Sequence, residues 1–313
     1  MTGKIYPEGA DWDALALRYV ACFSDLDEME NRWASYKRSH PILYRFHYTV
    51  EGLMKASFDT LVGVYEQFLA LPNTTDAEKK ELRTIKSYLK YKVFNYDCKK
   101  KGGKYHQPDI SNFFQKEMDG LNVHTCYYCD MAYINPFVDG AGTRSQFDLD
   151  HALGKAECPL VALSLHNFVP SCTVCNQRLK GRQPLSRIPD GIKLVAPCSE
   201  QFDGDKHIHF CVEHKKASSG GYMRHKDYYQ IGIKATGDYL EYTKLFHLKE
   251  RYEYHKGEAL RLLDLKRNYP ASHIRRMALM LHKTAEEVRE DLFGLNYSKE
   301  HHRCFDKLKR DIL

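Results

Sequence analysis

The stretch SLHNFVPSCTVCNQRLKG, residues 164–181, holds a Cys-x-x-Cys pair at Cys172 and Cys175, an Asn directly after the second cysteine, a second Asn at 167, and a Lys180-Gly181 end. A metal knuckle needs only the two cysteines, so the asparagines and the lysine require another reason. Upstream, TCYYCD supplies a second pair, Cys126 and Cys129. Four thiolates in two knuckles make a tetrahedral Zn²⁺ site, closed to substrate and therefore structural. Residues 130–171 separate the pairs. A simple zinc ribbon spaces its pairs roughly 15–20 residues apart, so something is inserted between these two.

The insert contains FDLDHALGK, residues 147–155. Asp148 and Asp150 alternate with Phe147 and Leu149, which suits a strand entering a loop. A carboxylate such as that of Asp150 binds Mg²⁺, a hard cation that seeks oxygen. The adjacent His151 can take a proton from water at neutral pH. In isolation an Asp-His pair is more often surface decoration or a satisfied core histidine. Its place between two zinc knuckles gives it weight.

Taken in order, CYYC, DLDH, HN and CTVCNQRLKG resemble the zinc-bearing branch of the HNH nuclease superfamily, the ββα-metal fold. The similarity covers residues 123–182. The wider run DLDHALGKAECPLVALSLHNFVPSCTVCN also resembles uncharacterised bacterial HNH proteins associated with defence against phage. The resemblance implies a role for each residue. His151 stands at the general base, and Asp150 at the metal-binding acid. Asn167 stands at the Asn that braces the loop carrying the catalytic His. Asn176 takes the third position, a ligand to the catalytic Mg²⁺ or Mn²⁺, which makes this an H-N-N variant. Cys126, Cys129, Cys172 and Cys175 hold structural Zn²⁺, a clamp for a motif too small to hold itself together. Lys180 and Arg182, just past the ligand helix, are expected phosphate contacts. The chain departs from the pattern at Gly154, where the family often has Pro. His166, beside Asn167, is assigned no chemistry.

The expected fold class is α+β: a small zinc-stabilised ββα-metal core embedded between mostly helical regions. Residues 1–120 form the first of these regions. Apolar residues at helical spacing predict helices over 10–38 and 43–71, a charged helix capped by Thr75 or Asp76, and a short amphipathic helix at 111–118. Residues 121–190 form the nuclease core. In 191–313, HIHFCVEH (207–214) and YYQIGIKAT (228–236) alternate as strands, and helices follow at 239–265, 271–292 and 298–311. KKKGGK, residues 99–104, reads as a basic hinge-like loop. A second metal cluster among Cys198, His207, His209, Cys211 and His214 is disfavoured, because its spacing gives no paired knuckles and Phe210 and Val212 fall on one strand face. Cys22, Cys98, Cys158 and Cys304 are expected to be buried or inert.

The net charge is +6, with 16 histidines that add charge below pH 6.5; a mild basic excess fits a nucleic-acid partner. No apolar run approaches the ~18 residues of a membrane span, and the first residues lack a secretory h-region. A cytoplasmic location is expected, where ten cysteines argue for thiols and metal rather than disulfides. The expectation is a metal-dependent endonuclease acting on DNA as a defence effector. The flanking helices would dock a regulatory partner such as an ATPase. The competing reading is a zinc-stabilised nucleic-acid-binding module without catalysis.

Overall fold

The computed structural model describes residues 11–99, 104–118, 120, 121, 123–140, 142–186, 189–215, 225–294 and 303–313. Most of the 99–104 loop and the start of the expected 298–311 helix lie outside the described residues. The molecule is α+β, with helices flanking, among the described residues, three two-stranded antiparallel sheets.

The N-terminal helices are α1 (Trp12–Val20), α2 (Leu26–Ser39), α3 (Val50–Lys55), α4 (Phe58–Leu69), α5 (Asp76–Tyr88) and α6 (Gln107–Glu117). The two long helices expected over 10–38 and 43–71 are each broken. The first stops after Val20, and Phe23 in the break is buried in the core. The second stops at Lys55, and Ser57 restarts the chain as α4 by accepting from the Thr60 amide. A side-chain cap satisfies an otherwise orphaned amide, so one Ser can reset a helix inside a continuous apolar pattern. Thr75 caps α5 in a reciprocal capping box with Glu78. A π-helical turn, Leu89–Val93, extends α5 directly.

A hairpin of β1 (Pro136–Asp139) and β2 (Gly142–Ser145) precedes the central pair, β3 (Asp148–His151) and β4 (Phe168–Ser171). After β4 comes a second π-helical segment, Val174–Lys180. Short α7 (Pro189–Val195) and α8 (Gly204–His207) lead to β5 (Ile208–His214) and β6 (Tyr229–Ala235), which pair over their full length. The remaining helices are α9 (Asp238–Leu245), α10 (Leu248–Tyr254), α11 (Lys256–Asn268), α12 (Ala271–Leu281), α13 (Ala285–Phe293) and α14 (Asp306–Ile312). The segment expected as one helix over 271–292 is two. His282 turns at φ 53°, and Thr284 opens α13 with a capping box to Glu287.

The three segments 1–120, 121–190 and 191–313 share one buried core. Tyr19 of α1 donates to the Leu163 carbonyl at 2.7 Å, and Tyr242 of α9 donates to the Tyr128 carbonyl at 3.0 Å. No helix among the described residues is long and apolar enough to cross a membrane.

Candidate metal centre and strand-end site

Cys126, Cys129, Cys172 and Cys175 converge, their sulfurs all within 4.8 Å of one another. Zn–S bonds of ~2.3 Å give a tetrahedron with edges of roughly 3.8 Å, so the set fits one zinc ion with a small contraction. The local chain explains the convergence. In the first knuckle the Cys126 amide donates to the Ala132 carbonyl at 2.9 Å, and the Asp130 amide folds back on the Cys126 carbonyl at 2.8 Å. That turn puts Asp130 at φ 57°, a left-handed conformation that Asp tolerates better than most residues. In the second knuckle the Cys172 amide donates to Cys126 Sγ at 3.3 Å. Arg251 of α10 donates through Nη1 to Cys175 Sγ at 3.3 Å. A guanidinium beside the sulfurs offsets the excess negative charge of four thiolates on one divalent ion.

The four cysteines are the one such group of His, Cys, Asp or Glu among the described residues. The disfavoured cluster at 198–214 does not assemble. His209 turns outward and bonds the Lys206 carbonyl, His207 stacks on Tyr239, and Cys198 is buried elsewhere. Phe210 is buried with Ile208, as strand alternation requires.

The end of β3 carries the Asp-His pair. Its register sets Asp150 opposite Val169 and His151 opposite Phe168. Successive strand residues point to opposite faces, and the two side chains diverge accordingly. The His151 ring meets Tyr96 edge-on at 4.7 Å and Phe168 at 4.9 Å. Its Nε2 lies 3.0 Å from the Ala162 carbonyl. A carbonyl only accepts, so Nε2 carries the proton and Nδ1 keeps the lone pair. Burial pushes the His151 pKa well below its usual value, and the charges of Lys155 and Lys180 push it the same way. The ring is therefore neutral at pH 7.

Asn167 holds the loop beneath this ring. Its Oδ1 accepts from the Leu153 amide at 2.7 Å, and its Nδ2 donates to the carbonyls of Leu153 at 3.0 Å and Val161 at 2.9 Å. The side chain thus ties the residues just after His151 to the turn that ends at Ala162.

Asp150 faces the other way, into a buried network. Tyr128 donates to its Oδ2 at 2.6 Å, and Lys180 Nζ lies 3.1 Å from Oδ1 and 2.9 Å from Oδ2. The same ammonium donates to the His151 carbonyl at 3.1 Å. Burial raises the Asp150 pKa, and the Lys180 charge opposes that rise. Lys180, expected as a phosphate contact, is instead turned into this network. It is only 5% exposed, because the π-helical segment carries it inward onto Asp150. Gly181 ends that segment at φ 53°, a conformation that favours glycine, and Arg182 beyond it is exposed.

Asn176 does not meet Asp150. Its Nδ2 donates to Asp148 Oδ2 at 3.2 Å, and Gln177 donates to the same oxygen at 3.0 Å. The oxygen pair expected to hold Mg²⁺ or Mn²⁺, Asp150 with Asn176, is therefore split. One member is engaged by a lysine and a tyrosine, the other by a different aspartate. As arranged, this donor set does not fit a divalent cation.

Four neighbours of the site escaped the sequence reading. Tyr128 and Lys155 lie inside stretches already singled out, CYYC and FDLDHALGK. Lys155 Nζ stands 4.0 Å over the Tyr96 ring and pairs with Asp97 at 3.1 Å. Tyr96 and Arg251 lie far from the motif in sequence, and no local pattern marks them. Comparison of the chain with protein-family models, with curated proteins and with solved structures finds no match.

Proposed function

We propose that this protein is a zinc-stabilised nuclease of the HNH kind that hydrolyses phosphodiester bonds in DNA. The observation that carries the proposal is the state of His151: Nε2 is fixed on Ala162, Nδ1 keeps its lone pair, and Asn167 holds the loop beneath it. A neutral, oriented imidazole is what a general base requires. Water would lose a proton to Nδ1 as its oxygen bonds to phosphorus, and the in-line bond to the 3′ oxygen would break, that oxygen taking a proton from solvent. The resemblance to HNH enzymes implies 5′-phosphate and 3′-hydroxyl products. Lys155, which lies over the ring that His151 also meets and pairs with Asp97, would supply a cation near the phosphate. The resemblance also implies Mg²⁺ or Mn²⁺ at Asp150 and Asn176. The donors do not fit such an ion as arranged, and no step is assigned to it. Zinc on the four cysteines would hold the two knuckles together and take no part in the chemistry.

The same reading makes the protein a defence effector gated by a partner such as an ATPase. The exposed Leu279, Met280 and Leu281 at the end of α12 offer an apolar surface for such a partner. The second reading, a nucleic-acid-binding module without catalysis, is favoured by one observation: Lys180 neutralises the carboxylate that would bind the catalytic cation.

The deciding experiment incubates purified protein with supercoiled plasmid in Mg²⁺, in Mn²⁺ and without added divalent ion. Nicked or linear product carrying 5′-phosphate ends supports the nuclease. Intact plasmid under all three conditions, with retained DNA binding, supports the module.

A further inference from the structure

Helix α5 presents a face that the proposed chemistry does not use. Lys80, Arg83, Thr84, Ser87 and Tyr88 lie along it. With Tyr91 and Lys92 from the π-helical turn they line an open groove of about 670 Å³. Lys80, Arg83 and Lys92 are exposed, and among the described residues none that lines the groove is acidic. Its aromatic wall is already organised. Tyr88 stacks on Tyr36 with ring centres 3.7 Å apart and planes 5° apart, and Tyr36 stacks in turn on His40 at 3.9 Å. Lys90 Nζ stands 5.1 Å from the Tyr91 ring centre.

We infer that this groove binds a single-stranded segment of nucleic acid, its phosphates on Lys80, Arg83 and Lys92 and its bases against Tyr88 and Tyr91. Cations tracking a backbone beside rings that accept unpaired bases are the chemistry of single-strand recognition. A protein partner would meet three cations and, among the described lining residues, no acidic group, whereas a polyanion finds complementary charge along the groove. The turn Leu89–Val93 packs against Pro159–Val161, the turn whose end supplies the Ala162 carbonyl to His151. Tyr96, three residues beyond that turn, meets the His151 ring and lies under Lys155. The inference rests on the proposed function for its choice of nucleic acid as ligand, and it assigns where the strand lies outside the reacting bond.

The test measures binding of a fluorescent oligo-dT 20-mer, without added divalent ions, as a function of salt. The proteins are the parent, the double variant Lys80→Gln/Arg83→Gln, Tyr91→Leu and His151→Ala. Each single-strand phosphate contact contributes about 0.7 to the salt slope. The double variant should therefore lose about 1.4 from that slope and at least ~5-fold in affinity. Tyr91→Leu should lose ~5-fold or more by removing a stacking ring, while His151→Ala binds like the parent. Unchanged affinity and slope in the double variant, with thermal unfolding also unchanged, overturns the proposal. A duplex of equal length that binds more tightly than the single strand, with Tyr91→Leu silent, overturns it too. Binding lost in the double variant of a protein that never cuts plasmid upholds the groove and removes the nuclease. Cleavage by a parent whose groove variants bind normally does the reverse.

Discussion

Lys180 makes three contacts at the end of β3, two to Asp150 and one to the His151 carbonyl. Both partners of the ion pair are almost fully buried. Removing one leaves the other's charge without compensation, which costs about 3–5 kcal/mol, whereas replacing both with apolar or neutral groups is often neutral. Lys180→Met should therefore lower the urea midpoint sharply, and Asp150→Asn combined with Lys180→Met should restore most of the loss. A single variant as stable as the parent would show that the pair does not anchor the strand end. Asn167→Asp tests the brace. The new carboxylate cannot donate to the carbonyls of Leu153 and Val161, and each buried group left unsatisfied costs about 1–3 kcal/mol. Plasmid cleavage should fall with the stability while zinc content stays at the parental value; unchanged cleavage would separate the loop from the chemistry. His166 gives a pH signature. Burial lowers its pKa from 6.5 to about 4, so the unfolded chain takes up a proton before the folded one. The stability of the neutral form is complete above pH 6.5 and is lost as pH falls toward 4, by on the order of 3 kcal/mol for this residue. Denaturant unfolding of the parent against His166→Gln should show a difference that grows over that window. A constant difference would contradict the assignment.

At the scale of elements, the knuckles are less isolated than their sequence suggests. A motif of this size has little core of its own, which predicts that zinc alone holds it together. The C-terminal helices are in fact bolted to the first knuckle. The Phe305 amide donates to the Asp130 carbonyl at 2.7 Å, the Lys307 amide to Asp130 Oδ2 at 3.0 Å, and Tyr252 to the Cys129 carbonyl at 2.7 Å. One zinc per chain is expected from elemental analysis of reduced protein. Its removal should raise amide exchange in both knuckles and, through these bonds, at α14 and α10, while α2 to α4 stay protected. Protection of α14 that survives chelation would contradict the coupling. The strand that carries Asp148 and Asp150, the strand pattern of 208–214 and the capping of α5 at Thr75 were legible in the sequence, because each rests on local periodicity or local hydrogen bonding. The breaks at residues 21–25 and 56–57 were not. The apolar pattern runs through them, and only the tertiary burial of Phe23 and the cap at Ser57 interrupt the helices.

For the molecule as a whole, one core joins helices from both ends of the chain to the central strands. The four cysteines could be read as a set because thiolate spacing is a local signal with few other meanings. The direction of each side chain at the strand end could not be read. Asp150 and His151 are adjacent in sequence but point to opposite faces, one toward Lys180 and Tyr128, the other toward Tyr96 and Phe168. Which partner each meets depends on packing that no spacing encodes. The whole account turns on the second of those faces, where the imidazole bonded through Nε2 to the Ala162 carbonyl is proposed as the base. The measurement that tests it most directly compares plasmid cleavage by the parent and by His151→Ala under matched metal conditions, with DNA affinity and zinc content measured on the same samples. The account predicts a loss of at least ~10²-fold in cleavage, the lower end for general acid–base catalysis, with affinity and zinc unchanged. Cleavage by His151→Ala at the parental rate would contradict it.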